Sequence, residues 1–227
     1  MKKTISLLLL SFMFSCSDTT DQEDDIITPD EETIRYEVTF QGTWSDASHP
    51  NTHPSNSHFS GVIGMSHNGA AYLPTEDDLA SEGLKVMAET GGKSPLISEI
   101  NALIDTKSAE TLISEGGLGS GSSSISFTLE VTNNNPYITF YSMIAPSPDW
   151  YVAVENLNLY QNDIWVDSLT IIPTHYDAGT DSGTTFDAPN SPTTPQQKIY
   201  PLSSISLGNE EAAITPLALF TFRKIEE

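Results

Sequence analysis

Asp149 stands in P-S-P-D-W at residues 146–150, and Asp177 and Asp181 stand in D-A-G-T-D-S-G at residues 177–183. Aspartates in Pro- and Gly-rich loops can build an oxygen-ligand site. Calcium takes roughly 6–8 oxygens from carboxylates, carbonyls and water, and it tolerates irregular geometry. On a straight strand Asp177 and Asp181 would share a face about 13 Å apart, at about 3.3 Å per residue. They can meet one ion only if the chain curls. Ala178-Gly179-Thr180 permits this, because glycine takes positive φ freely. Backbone carbonyls inside such a curl are natural extra ligands. Aspartate is also a turn-former, so spacing alone leaves two readings open, turn caps or a cation site.

Other chemistry-bearing residues are less ordered. His49, His53, His58 and His67 are spaced by 4, 5 and 9 residues in a loop and a strand, not on a helix as in H-E-x-x-H. Structural hydrogen bonding accounts for them better than zinc does. Gly64-Met65-Ser66-His67 lacks the closing glycine of a nucleophile elbow. Nothing in the sequence orders the many Ser, His and Asp residues into a triad. Asp77-Asp78 and Glu210-Glu211 read as solvated faces. Trp44, Trp150 and Trp165 read as packing, although an exposed Trp150 could contact a ligand. No catalytic residue is assigned, and the chain is expected not to be an enzyme.

The elements around these residues are mostly strands. Ile34, Tyr36, Val38 and Phe40 alternate with polar residues, which is the period of a half-buried strand. Similar runs cover 58–64, 125–131, 137–144, 151–159 and 164–172. A short edge segment is expected at 199–207, and a closing strand at 213–225. Two helices are expected between early strands. One lies in 76–90 with Thr75 as N-cap, and one starts at Ser94 as N-cap with Pro95 in its first turn. The glycines of 116–121 read as a loop. The pattern predicts an all-β fold, an antiparallel β-sandwich with a small helical insertion.

The chain has 227 residues, with 31 acidic and 9 basic, for a formal charge of -22. That balance argues against a nucleic-acid partner, because no basic footprint exists to neutralise phosphates. The one cysteine, Cys16, excludes a disulfide framework. Residues 1–15 have a basic start, an apolar run and Ser15, and read as a secretory signal. M-F-S-C resembles a bacterial lipobox, with lipid expected on Cys16. Residues 16–33 are acidic and polar and read as a disordered tether. Residues 34–227 form the expected domain. An acidic start after the lipid cysteine resembles the surface-export signal of some Gram-negative lipoproteins.

Further motifs lie in order along that domain: Y-E-V-T-F-Q-G-T-W-S (36–45), H-P (49–50), H-F-S (58–60), G-M-S-H (64–67), A-S-E-G (80–83) and S-P-T-T-P-Q-Q-K-I-Y-P-L (191–202). With P-S-P-D-W and D-A-G-T-D-S-G, they resemble the spondin N-terminal domain of F-spondin-like matrix proteins over residues 34–225. The resemblance implies an eight-stranded, C2-like sandwich with one bound calcium. It also implies Asp149, Asp177 and Asp181 as the metal ligands, with Glu155 left out of that set. The cysteines of animal members are absent here, which puts their disulfide in doubt.

The expected protein is therefore a calcium-binding lipoprotein of the cell envelope. It would sit on the outer membrane through Cys16, periplasmic or surface-exposed, and bind or adhere to an unidentified protein or glycan. A structural envelope component is the alternative, and a carbohydrate-active or hydrolytic enzyme a further one.

Overall fold

The computed structural model describes residues 31–50, 52–203 and 215–226. The signal segment, Cys16, Glu210-Glu211 and part of the segment expected at 199–207 lie outside the described residues. In chain order the elements are β1 (Thr33–Gly42), β2 (His58–Phe59), β3 (Ile63–His67), α1 (Glu82–Thr90), α2 (Ser94–Asp105), β4 (Ala109–Ser114), β5 (Ser124–Thr132), β6 (Tyr137–Ala145), β7 (Trp150–Asn158), β8 (Tyr160–Gln161), β9 (Ile164–Trp165), β10 (Ser168–Ile171), β11 (Thr174–Asp177), β12 (Tyr200–Pro201) and β13 (Ala218–Lys224).

Every strand pairing is antiparallel, and the strands form two main sheets. One runs β10-β13-β1-β5. The other runs β12-β11-β7-β6-β3-β4, with β2 also pairing to β6. β8 and β9 form a small separate ribbon. This is the expected antiparallel sandwich with a helical insertion. β4 is a strand that alternation did not reveal. It pairs with β3 directly after α2, and only Ala109 and Ile113 of its six residues are buried.

The two sheets differ in what covers them, and the sequence shows it. β1 alternates because one face meets solvent. Its Tyr36, Val38 and Phe40 join Phe220 and Phe222 of β13 and Phe140 of β6 between the sheets. Phe40 and Phe220 stack at 4.3 Å between ring centroids. β6 reads as a near-continuous buried run because both its faces are covered. Ile138, Phe140 and Ile144 face the other sheet. Tyr141, Met143 and Ala145 face α1 and α2 with Leu84, Met87, Leu96 and Ile100.

The helix boundaries shift from the expected ones for local reasons. Ser81, not Thr75, caps α1, its hydroxyl accepting from Leu84 N–H at 3.1 Å. Thr75 instead donates its N–H to Asp78 Oδ2 at 3.0 Å in a turn. Glu99 of α2 completes the start of α1. It accepts from Ser81 Oγ at 2.6 Å and from Gly83 N–H at 2.7 Å, which places a carboxylate at the positive end of the helix. Gly83 is tolerated because a Cβ there would lie 2.6 Å from Leu96 Cα, so the two helices meet backbone to backbone. Lys93, not Ser94, is the N-cap position of α2 and makes no side-chain capping bond, with Pro95 in the first turn as expected.

His49, His67 and His175 are structural. His67 is buried and pairs with Thr139 Oγ1 at 3.0 Å. His49 is buried between Ser48 Oγ and the carbonyl of Thr215. His175, which the motif reading did not single out, is 4% exposed and accepts the Leu217 N–H at Nε2 (3.3 Å). Burial lowers its pKa from 6.5 to about 4, with a smaller push from His49. The unfolded chain therefore binds the proton more tightly than the folded one. The stability from neutral His175 is whole above pH 6.5 and drains away as pH falls towards 4. Thermal melts should show this decline, and His175→Gln, which keeps an acceptor but does not titrate, should lessen it, leaving the share of His67, whose pKa burial also lowers to about 4. An equally steep decline in the variant would remove His175 as its source.

Candidate functional site

Strand register brings the three aspartates to one end of the sandwich. In the β7–β11 pair, Asp177 lies opposite Trp150, so the loop entering β7 and the loop leaving β11 are neighbours. The first loop is tied by Ser147, whose Oγ accepts the Trp150 N–H at 3.1 Å. The second departs from strand geometry at Gly179, with φ of +71°. The curl that the glycine permits is therefore present. A Cβ at this position would lie 2.4 Å from the carbonyl oxygen of Gln197.

All three carboxylates are buried, with relative exposures of 0% for Asp149, 2% for Asp177 and 5% for Asp181. Each holds loop backbone. Asp149 Oδ2 accepts from Thr180 N–H (2.7 Å), Thr180 Oγ1 (3.1 Å) and Asp181 N–H (3.0 Å). Asp177 Oδ1 accepts from Gly179 N–H (2.8 Å), and its Oδ2 accepts from Trp150 Nε1 (3.0 Å) and Tyr200 OH (2.8 Å). Asp181 accepts from Gly183 N–H (2.8 Å) and Ser191 N–H (2.7 Å). Turn-capping is thus real at all three positions. Trp150 is 1% exposed and serves as core and as a donor to Asp177, so it offers no exposed face to a ligand.

The electrostatics go beyond capping. Burial raises the Asp149 pKa to about 6, and the charge of Asp177 adds to the rise against the pull of the three hydrogen bonds. Asp177 is also raised, first by burial and last by Asp181, while Tyr200, Gly179 and Trp150 oppose the shift. Among the described residues none of the three pairs with Lys, Arg or His. Asp149 Oδ1 is buried and has no hydrogen-bond partner. Such an oxygen fits a cation, because a buried charge needs a counter-charge or it moves its pKa. Among the described residues, no three or more His, Cys, Asp and Glu side chains are grouped so as to hold a metal ion. Glu155 Oε2 takes the Tyr176 hydroxyl at 3.0 Å on the helix-covered side, and its buried Oε1 has no hydrogen-bond partner.

A second constellation was not foreseen from sequence. Asp46 Oδ1 lies 2.7 Å from His53 Nδ1, and His53 Nε2 lies 2.8 Å from Ser57 Oγ. The loop after β1 thus orders an Asp, a His and a Ser in series, where the sequence pattern suggested no order. The spacings of seven and four residues match no motif. Only the fold of the loop reveals the alignment.

Gly179→Ala tests the aspartate loop. Left-handed strain alone costs about 1–3 kcal/mol, and the approach to Gln197 adds to it. Denaturant unfolding should show a loss of at least that size, whereas wild-type stability would contradict the loop geometry.

The Spondin_N family model matches residues 34–214. Spondin-2 of Homo sapiens is 34% identical over 176 residues, which are 76% of this chain and 53% of that protein. Spondin-2 of Rattus norvegicus is 29% identical over 205 residues, 85% of this chain and 62% of the relative. Spondin-1 of Gallus gallus is 36% identical over 183 residues, 76% of this chain and 22% of the relative. The chain thus spans about half of human Spondin-2 and about a fifth of chicken Spondin-1. With the family match covering β1 to β12 and the aspartate loops between them, the chain belongs to the Spondin_N family.

Proposed function

We propose that this chain is a calcium-binding, lipid-anchored protein of the cell envelope whose Spondin_N domain binds a protein or glycan partner at the cell surface. The observation that carries the calcium reading is the buried, unpartnered Asp149 Oδ1, in a loop cluster where the charge of Asp177 presses on Asp149 and that of Asp181 on Asp177, and where, among the described residues, no base pairs with them. A divalent cation would neutralise that repulsion. Asp149, Asp177 and Asp181 would supply carboxylate oxygens, and the curl around Gly179 would supply carbonyls. Several of the carboxylate oxygens hold N–H donors in this structure, so ion binding would exchange some of those bonds for coordination. This role is a staple. The aspartate loops present no pair of groups with separated acid and base roles, and we assign them no catalysis.

Surface placement rests on Cys16 and the acidic run after it, together with the Spondin_N membership of the domain. The lipid would hold the domain to the outer membrane, and the 16–33 segment would set it off from the bilayer.

A ligand that binds only the folded state adds about 2.7 kcal/mol at a concentration 100 times its Kd. The melting temperature of the purified domain should therefore rise with calcium and drop with chelator. Asp177→Asn combined with Asp181→Asn should erase the difference. Identical wild-type melts in calcium and chelator would end the calcium reading. Separately, Cys16→Ser should shift the chain from the membrane pellet to the soluble fraction, and a variant that still pellets with membrane would end the lipid-anchor reading.

A further inference from the structure

We propose that the loop after β1 forms a serine-hydrolase site, with Ser57 as nucleophile, His53 as general base and Asp46 orienting the imidazole. This goes beyond the binding role above and is independent of calcium. It also sets aside the expectation that the chain is not an enzyme.

The geometry carries the proposal. A nucleophile and its base must lie within roughly 2.6–3.2 Å, and the base must be oriented by a third group. The Ser57 Oγ to His53 Nε2 distance is 2.8 Å, and the His53 Nδ1 to Asp46 Oδ1 distance is 2.7 Å. The two contacts use opposite ring nitrogens. This is the polarity a triad needs: Nδ1–H donates to the carboxylate, leaving Nε2 to accept the serine proton. The imidazole is held from the side as well. It packs edge-on against Trp44, with ring centroids 5.8 Å apart and planes at 84°. The His53 side chain is only 13% exposed, whereas the Asp46 carboxylate is 91% exposed. Ser57 is itself 6% exposed.

The three side chains line one cavity of about 480 Å³, large enough for a small ester. Its opposite wall is the glycine–serine loop at 119–122. A Cβ on Gly121 would lie 2.6 Å from Ser57 Oγ, so only glycine lets this wall approach the hydroxyl so closely. Trp44 also lines the cavity, and its buried Nε1–H has no acceptor. The walls carry Ser45, Ser55, Asn56 and Ser120, which suits a short acyl group on a polar, hydroxyl-bearing alcohol.

The chemistry balances with water as the only co-reactant. Ser57 Oγ bonds to the acyl carbon as its proton passes to His53 Nε2. The tetrahedral species collapses, the ester C–O bond breaks, and His53 gives that proton to the leaving alkoxide. Water then attacks the acyl-serine, giving a proton to His53 that returns to Ser57 Oγ as the acid departs. The sum is ester plus water to acid plus alcohol.

The test treats the purified full chain with a fluorophosphonate probe and maps the adduct by peptide mass. The expected adduct is on Ser57. His53→Gln should slow labelling by roughly 10²- to 10⁴-fold, the usual contribution of a general base. Asp46→Ala should slow labelling at least about tenfold, a modest part of that contribution because the carboxylate is exposed. Asp46→Glu should restore most of the rate, which a merely structural loop residue would not do. p-Nitrophenyl acetate should give a burst of one equivalent that Ser57→Ala abolishes. If Ser57→Ala fails to fold, the adduct map on wild type decides alone. No adduct, or an adduct elsewhere than Ser57, overturns the proposal, as does equal labelling of wild type and His53→Gln.

Discussion

One buried carboxylate oxygen knits the aspartate end of this domain. Asp149 Oδ2 gathers three donors from Thr180 and Asp181, and so ties the loop entering β7 to the loop leaving β11. The Ala178 N–H adds a bond to the Asp149 carbonyl at 3.1 Å. Asp149 is fully buried and, among the described residues, pairs with no base. Water cannot replace these donors, so the carboxylate and its loop define each other. Truncating it would leave three donors to be satisfied anew. Neutralising it would keep the acceptor but remove the charge that burial disfavours. The same interaction thus fixes the loop and makes it electrostatically costly, which is the combination a bound cation relieves.

This end is positioned by a sheet covered on both faces. β6 and β7 carry one row of side chains into the space between the sheets and the opposite row under α1 and α2. A one-residue slip would exchange those rows, placing Tyr141 and Tyr151 where Phe140 and Val152 now pack. Register is therefore held strongly in the strands that deliver Asp149 and Asp177. The two helices matter to the site in this indirect way. They cover the second face and so make the register of β7 costly to change.

The sandwich was legible because period two is a local signal. Ile34 to Phe40 announces a one-sided strand, and Tyr137 to Ile144 announces a two-sided one. The aspartate loops were legible as a place, since Pro- and Gly-rich text marks a turn wherever it falls. Whether those aspartates cap turns or face an ion was not legible from spacing, and the structure shows why: the same side chains accept loop N–H bonds and press on one another electrostatically. The start of α1 was misread for a related reason. T-E-D-D and S-E-G-L are both reasonable helix openings, and the choice falls to Glu99, which lies beyond either stretch and accepts from Ser81 and Gly83. β4 was missed because its buried residues are only Ala109 and Ile113, and its pairing with β3 supplies what its own composition lacks.

The Asp46–His53–Ser57 series lies at the other extreme of locality. Its three members fall within one loop, so closing it requires far less chain ordering than bringing residue 149 to residue 177 through sheet register. Even so, no periodicity predicts it, because loops have none. What orders it are contacts from distant chain: Trp44 packing on the imidazole, and the glycine backbone at 121 pressed against the serine hydroxyl. Trp44 N–H itself bonds to the Gly121 carbonyl at 2.9 Å, so these two walls are a single unit. The sandwich, by fixing Trp44 at the end of β1 and Gly121 before β5, sets the frame into which a short polar loop must fold.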